Sequence, residues 1–299
     1  MENPQQIHRA TLIASGTAFV LIILKLSVAL ITGSIAILAS ALDSLLDMAI
    51  SLFNTYAVSS SQKPEDPSFN YGRGKLEAIA ASLEGIILLI TCGFILQQAW
   101  FSFNRTPDFS TRDISLNLAV LAISTIITLF LVIYLRNVAV KSNNLVIQAD
   151  CLHYKTDLYT NIALVVGMLV IAQTGWFWVD SILGVAVAIF LGTEAIKIVR
   201  SGFLILMDQA LDAEVVEQIQ QVIASFSPKV SSLHHFRSRQ SGGSYFVEFH
   251  LVFNDAILLK TAHDISDDVS KQIRKLDPQK KWNISIHLDP VDDSEATFF

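Results

Sequence analysis

Two pairs of ionisable residues interrupt long apolar stretches of this chain. The segment ALDSLLDMAIS places Asp43 and Asp47 four residues apart, and the segment ADCLHYKTDLYTN places His153 and Asp157 at the same spacing. Four residues make about one turn of an α-helix, so each pair projects from a single helix face. Two such faces brought together offer three carboxylates and one imidazole, which is the number of ligands that a tetrahedral divalent cation needs. We call these four residues the membrane quartet.

A structural role is the alternative for the membrane quartet, because an isolated Asp in a membrane can hydrogen bond to a neighbouring Ser or backbone carbonyl. An ionisable group at a helix centre costs on the order of 3 kcal/mol, and two like charges one turn apart also repel each other. These costs favour a metal or proton site. Two further ionisable residues leave alternatives open. Asp150 is either a supporting carboxylate or an interface residue. Glu84 either pairs with a residue of another helix or extends its carboxylate to the membrane surface.

The elements that must position these residues are membrane helices. Of the 299 residues, 52% are hydrophobic and only 16% are charged, whereas soluble domains carry about 25% charged residues. Crossing the hydrocarbon core takes roughly 20 helical residues. Six stretches are long enough: 10–32, 35–60, 77–101, 114–136, 144–172 and 178–203. Lys and Arg are concentrated in the loops on the same side of the membrane as the N-terminus. This distribution predicts cytoplasmic N- and C-termini in a multi-pass membrane protein.

Charge and cysteine content exclude several classes of protein. The net charge of -6 and the lack of a basic stripe argue against nucleic-acid binding. Cys92 and Cys151 both lie in apolar stretches, so a disulfide framework is excluded and a metal site must use His and carboxylate ligands. A membrane metalloenzyme, such as an intramembrane protease, is an alternative function. It would be expected to carry a HExxH helix, and no His-Glu dipeptide occurs in the sequence.

A second, soluble domain is predicted at residues 210–299, after a membrane domain at residues 1–209. This last third carries 9 basic and 13 acidic residues, nearly as many as the 12 and 14 of the preceding residues. The hydrophobic patterns predict helices at 212–226 and 261–276 and strands at 230–239, 245–253 and 283–288. The order αββαβ indicates a small cytoplasmic α+β domain with a three-stranded sheet and a ferredoxin-like fold.

Histidine is concentrated in this second domain, which holds five of the seven histidines: His234, His235, His250, His263 and His287. Strand alternation places His287 and Asp289 on the same side of the last strand. This surface is a candidate for a second metal site, and scattered solvent-exposed histidines are the alternative that composition leaves open.

The motifs reached so far resemble those of the cation diffusion facilitator family, in its bacterial zinc and ferrous-iron efflux branch. The resemblance rests on DSLLD, GRGKLE, ADCLHYKTD, MDQAL, RSRQSG and IHLDP, which follow one another in the family's order over nearly the whole chain. It implies a homodimer that exchanges a divalent cation against protons by alternating access, with the membrane quartet as the transport site. It also implies a cytoplasmic cluster of metal ligands and an interlocking charge pair between Lys75 and Asp208. The cluster members are His234, His250, His263, His287 and Asp289, and His235 falls outside the pattern.

The loop between the second and third spans departs from the family pattern. That branch has a metal site of one Asp and two His in this loop. Asp66 matches the Asp, but Phe69 and Arg73 occupy the His positions, and neither side chain ligates a cation. We therefore expect this loop site to be absent.

The function expected from the sequence is export of Zn²⁺, with Fe²⁺ or Cd²⁺ as further substrates, from the cytoplasm in exchange for protons. The chain is then a transporter and not an enzyme. Zn²⁺ would also be bound by the cytoplasmic cluster, in a structural or regulatory role. A metal-binding regulatory or scaffold protein without transport is the remaining alternative, and a broken membrane quartet would be its signature. The quartet is intact here.

Overall fold

The computed structural model describes residues 4–32, 35–102, 114–174 and 178–292. The chain forms two compact units, one ending at Phe203 and the other beginning at Leu204. Six long helices make up the first unit: α1 (Pro4–Thr32), α2 (Ile35–Ser61), α3 (Lys75–Ser102), α4 (Ile114–Ser142), α5 (Leu145–Thr174) and α6 (Trp178–Leu206). Most of these helices extend a few residues beyond the predicted spans, because the apolar stretches continue into polar ends that remain helical.

Among the described residues, four helices are long and apolar enough to cross a membrane by length and composition: α1, α3, α4 and α6. The other two, α2 and α5, carry the paired ionisable residues. Large apolar side chains cover the outside of the first unit, as shown by Ile31, Trp100 and Phe130, which are 82%, 76% and 69% exposed. A surface of this kind requires a non-aqueous environment, because exposed apolar patches of this size are rare on soluble proteins.

A tight turn joins α4 to α5 and fixes where α5 begins. Asn143 adopts a left-handed backbone with φ of 48°, a conformation that Asn tolerates better than most residues. The side-chain oxygen of Asn144 accepts hydrogen bonds from the backbone N–H groups of Val146 and Ile147, at 3.0 and 3.3 Å. Asn144 thus caps the N-terminus of α5. Its amide nitrogen donates to Glu77 on α3 at 2.6 Å, which ties the start of α5 to the third helix.

The helices α3 and α6 approach each other closely at two glycines. A Cβ atom at Gly202 would lie 2.9 Å from the carbonyl oxygen of Ala78 and 2.2 Å from the hydroxyl of Ser82. A Cβ atom at Gly85 would lie 2.7 Å from a methyl group of Val199. Small residues allow membrane helices to pack backbone against backbone, and these two positions serve that purpose here.

Replacing Gly202 by Val is therefore expected to destabilise the first unit by about 1–3 kcal/mol, the usual cost of overpacking. The backbone carbonyl of Ala78 cannot move aside as a flexible side chain would. Thermal unfolding of the detergent-solubilised protein measures the effect. Gly16→Val is the matched control, since a Cβ atom at Gly16 meets nothing within 4 Å. Equal melting temperatures for the two variants would contradict the prediction.

The second unit is an α+β domain with the element order predicted from the sequence. It contains α7 (Ala213–Ala224), β1 (Ser232–Ser241), β2 (Ser244–Val252), α8 (Leu259–Arg274) and β3 (Lys281–Asp289). The sheet order is β1-β2-β3, with β1 antiparallel and β3 parallel to β2. Gly242, with φ of 55°, supplies the left-handed backbone of the two-residue hairpin between β1 and β2.

The hydrophobic core of the second unit lies between one face of the sheet and the two helices. Phe249 and Leu251 of β2 are fully buried there beside Ile219 of α7 and Val269 and Ile273 of α8. Because side chains alternate along a strand, residues at intervening positions of β2, such as His250, point to the other face. The fold therefore leaves one sheet face for polar side chains.

Candidate metal centres

The membrane quartet draws its side chains from α2 and α5, which pack against each other in the first unit. His153 Nε2 lies 2.8 Å from Asp47 Oδ1, although 106 positions separate them in the sequence. Ligand atoms of Asp47, His153 and Asp157 all lie within 4.8 Å of one another. The side chains of His153 and Asp47 are 11% and 18% exposed. The fold thus brings an imidazole and two carboxylates together at one point that is largely shielded from solvent.

The fourth member, Asp43, lies one helical turn before Asp47 on α2, and its side chain is outside the described residues. In the described part of the chain, His153 Nδ1 is buried without a hydrogen-bond partner. Nitrogen and carboxylate oxygen atoms around one point form a donor set for a borderline divalent cation such as Zn²⁺, and the same groups exchange protons.

A buried polar layer supports the quartet one helical turn along α2 and α5. Ser51 Oγ donates to Asp150 Oδ1 at 3.4 Å and lies 3.1 Å from the hydroxyl of Tyr154. Asn54 Nδ2 donates to Glu84 Oε2 at 2.8 Å, which adds α3 to the layer. Asp150 is thus an interface residue that links α5 to α2. Glu84 is 1% exposed and forms an interhelical hydrogen bond, so it does not snorkel to the membrane surface.

The loop between α2 and α3 holds Asp66 in a local ion pair. Arg73 Nη2 lies 2.5 Å from Asp66 Oδ2, and the backbone N–H groups of Ser68 and Phe69 both donate to Asp66 Oδ1 at 2.9 Å. The hydrogen bond from Arg73 is the main reason that the pKa of Asp66 is below its usual value. The guanidinium also lies 4.2 Å from the centre of the Phe69 ring. Both carboxylate oxygens are engaged by the protein itself, and the absence of a metal site in this loop stays a prediction.

On the polar face of the second unit, three histidines lie side by side on neighbouring strands. His234 pairs with His250 across β1 and β2, and His250 pairs with His287 across β2 and β3. Asp289 at the end of β3 contacts all three rings. Its Oδ2 atom lies 2.8 Å from both His234 Nε2 and His250 Nδ1, and its Oδ1 atom lies 2.5 Å from His287 Nδ1. One carboxylate thus contacts all three histidines, two through Oδ2 and one through Oδ1.

The electrostatics of Asp289 suit it to bind a cation. Burial alone raises the pKa of its carboxyl group, but the hydrogen bonds from His234, His250 and His287 together outweigh burial and lower that pKa. The carboxylate is therefore ionised at neutral pH. Imidazole and carboxylate donors in this arrangement fit Zn²⁺.

A second carboxylate lies close to His234. The Nδ1 atom of His234 lies 3.3 Å from Asp292 Oδ1, and Ser232 Oγ donates to Asp292 Oδ2 at 2.8 Å. Groups around a metal-binding histidine commonly affect the affinity for the metal, and Asp292 is a carboxylate beside this ring. Sequence reasoning missed Asp292, because strand alternation ends with β3 and says nothing of the residues that follow.

The structure places His263 apart from the other cluster members. This residue lies on α8, its side chain is 66% exposed, and its Nε2 atom is 3.9 Å from Asp267 Oδ2. Within the described residues of one protomer, no hydrogen bond or ion pair joins it to Asp289. A role for His263 in the cytoplasmic cluster therefore requires a second protomer and stays a prediction.

The expected charge pair between Lys75 and Asp208 also stays a prediction. Lys75 is the first residue of α3, in the first unit. Asp208 belongs to the second unit, where it has a left-handed backbone with φ of 57° and its Oδ1 atom accepts a hydrogen bond from Arg239 at 3.2 Å.

Comparison with known proteins matches the chain to two family models, one for each part. Residues 11–207 match a family model described as the cation efflux transmembrane domain, and residues 211–291 match one described as the cytoplasmic domain of cation efflux proteins. The chain is similar to the cation-efflux pump FieF of Shewanella oneidensis, with 32% identity over 92% of this chain and 91% of the relative. The FieF of Salmonella paratyphi A is 31% identical over 95% of this chain and 93% of its own length.

Among solved structures, the Zn form of CzrB, described as a proposed zinc transporter, covers 30% of this chain and 99% of its own chain. The identity is 26% and the TM-score is 0.25.

Proposed function

We propose that this chain exports Zn²⁺ from the cytoplasm in exchange for protons. The chain belongs to the cation efflux family, the cation diffusion facilitators. That the chain is a membrane cation efflux transporter and not an enzyme follows from the family. The choice of Zn²⁺ and the exchange for protons are proposals. The observation that carries them is the meeting of Asp47, His153 and Asp157 between α2 and α5, with ligand atoms within 4.8 Å of one another.

Proton exchange follows from what the ligands must do to bind a cation. In the structure, His153 Nε2 and Asp47 Oδ1 are 2.8 Å apart, a distance at which one proton lies between them. A metal ion needs the neutral imidazole nitrogen and ionised carboxylates, so its binding displaces that proton. Reprotonation from the more acidic outer side would then release the cation there. The same two groups therefore bind either protons or the metal, which couples the two fluxes.

The donor set supports Zn²⁺ as the first choice of substrate. One imidazole with carboxylates suits a tetrahedral Zn²⁺ or Cd²⁺ ion and tolerates Fe²⁺, whereas a site of carboxylates alone would favour Mn²⁺. Asp43 would complete the quartet from the turn before Asp47. We propose that both termini of the six-span protein lie on the cytoplasmic side of the inner membrane.

We further propose that the protein works as a homodimer with resident Zn²⁺ in the cytoplasmic cluster. His234, His250 and Asp289 would hold the first ion, with Asp292 close to His234. His287 and the other oxygen of Asp289 would hold the second, with His263 supplied by the second protomer. Zn²⁺ here supplies no reaction chemistry and serves to stabilise or regulate the dimer.

Proteoliposomes with an internal pH dye test the proposal. External Zn²⁺ is added to vesicles that contain the purified wild-type protein. The pH inside these vesicles should then change in proportion to the Zn²⁺ gradient. Parallel measurements with Fe²⁺, Cd²⁺ and Mn²⁺ rank these ions as substrates by the size of the flux. Zinc uptake without any pH change would overturn proton exchange, and a larger flux with Mn²⁺ than with Zn²⁺ would overturn the assigned substrate.

A further inference from the structure

Strand β1 contains an irregularity at the residue that the family pattern leaves out. The register between β1 and β2 shifts between His234 and Arg237, so an extra residue is accommodated there. His235 has φ of 49°, in the left-handed region that few residues other than Gly adopt, although His does so more often than most. Such a bulge changes the direction in which side chains point. In a regular strand, His234 and His235 would point to opposite faces of the sheet.

The bulge places His235 on the same side as the other histidines. The centre of its ring lies 4.8 Å from that of His234 and 5.0 Å from that of His250, and those two are 5.1 Å apart. The three rings thus form a nearly equilateral triangle. Centroids about 5 Å apart are what three imidazoles require when they meet at one tetrahedral ion with Zn–N bonds of about 2.1 Å.

We propose that His235 is the fourth ligand of a Zn²⁺ site that closes within a single protomer, together with His234, His250 and Asp289. The inference rests on the proposed cytoplasmic cluster and extends it. His234, His250 and Asp289 already have ligand atoms within 4.8 Å of one another. The side chain of His235 is exposed at their edge, so rotation about its side-chain bonds brings a ring nitrogen to them at little cost in packing.

A fourth ligand changes what the site can do. Three protein ligands leave a coordination position open, as in catalytic zinc sites, whereas four ligands close the site, as in structural ones. Three imidazoles and one carboxylate also discriminate against Mg²⁺, Ca²⁺ and Mn²⁺, which prefer oxygen ligands. Since all four ligands come from one chain, this ion does not depend on a partner subunit, unlike an ion held through His263.

The test uses the full-length protein in detergent, with the transport site disabled by Asp47→Ala and Asp157→Ala. In this background, His235→Asn removes the imidazole but keeps a residue that tolerates a left-handed backbone. We expect Zn²⁺ affinity at the tightest cytoplasmic site to fall about 100-fold, at the upper end of the 10- to 100-fold loss caused by removing a supporting residue. With Co²⁺ as the probe, the intense visible absorption of a four-coordinate ion should decrease to that of a more open site.

Two further variants separate ligand loss from damage to the strand. His235→Gly accepts the backbone conformation and leaves space, so added free imidazole should restore the Co²⁺ spectrum. His8→Asn removes a histidine of the first unit and should leave affinity and spectrum unchanged. Unaltered Zn²⁺ affinity and Co²⁺ absorption in His235→Asn would overturn the proposed role of His235 but not the rest of the cytoplasmic cluster. If the background protein itself bound no Zn²⁺, the cytoplasmic cluster would be wrong and this inference with it, while the transport proposal would stand.

Discussion

Replacing Asp157 by Ala is expected to reduce Zn²⁺-dependent proton flux in proteoliposomes by at least about 100-fold. Asp157 is one of three residues whose ligand atoms meet within 4.8 Å, and it lies on the same face of α5 as His153. Its loss removes both a ligand and a negative charge from a site that is largely shielded from water. Electrostatic attraction between the site and a cation is stronger there than in water, because the effective dielectric constant is lower. Loss of a direct ligand should exceed the 10- to 100-fold effect of losing a supporting group.

Glu194→Ala is the matched control for this experiment. Glu194 is also an acidic residue of a long helix in the first unit, but its side chain is 40% exposed and pairs with Lys197 at 2.6 Å on α6. An exposed pair of this kind contributes little to stability, so its removal should leave flux within about twofold of wild type. Undiminished flux in Asp157→Ala, with the variant correctly folded, would show that the cation passes elsewhere.

Replacing Asp289 by Ala should abolish Zn²⁺ binding by the cytoplasmic cluster, with a loss of affinity of at least about 100-fold. The two oxygens of this carboxylate contact three histidine rings, so a single substitution removes a ligand from both proposed ion positions. The three imidazoles would also lose the shared negative charge that holds them together. Isothermal titration with Zn²⁺, in the background that lacks Asp47 and Asp157, measures the change directly.

Asp268→Ala provides the comparison for Asp289→Ala. Asp268 is an exposed acid of the same unit that pairs with Lys271 on α8 at 3.0 Å. Its loss changes the net charge by the same amount without touching a histidine, so Zn²⁺ affinity should not change. Equal affinities for the two variants would place the cytoplasmic metal site away from Asp289.

The membrane half of the molecule follows from the sequence because the bilayer imposes simple rules. A helix that crosses hydrocarbon needs a long apolar stretch, and an ionisable residue within such a stretch is costly enough to indicate function. These rules identified the stretches that form α1 to α6 and selected Asp47, His153 and Asp157 from their spacing alone. The helix ends were less well predicted, since polar residues at the membrane surface extend a helix as readily as they end one.

The sequence also determined which sheet face carries the histidines, because alternation separates His250 from the buried Phe249 and Leu251 on β2. It could not determine which residues meet across long separations. Only the tertiary structure joined α2 to α5 through the contact of Asp47 with His153, and only the strand register aligned His234, His250 and His287 beside Asp289. The position of His235 was decided by a bulge, which breaks the two-residue periodicity on which sequence reasoning depends. Local spacing fixes the face on which a side chain lies, whereas its partners depend on how distant segments pack.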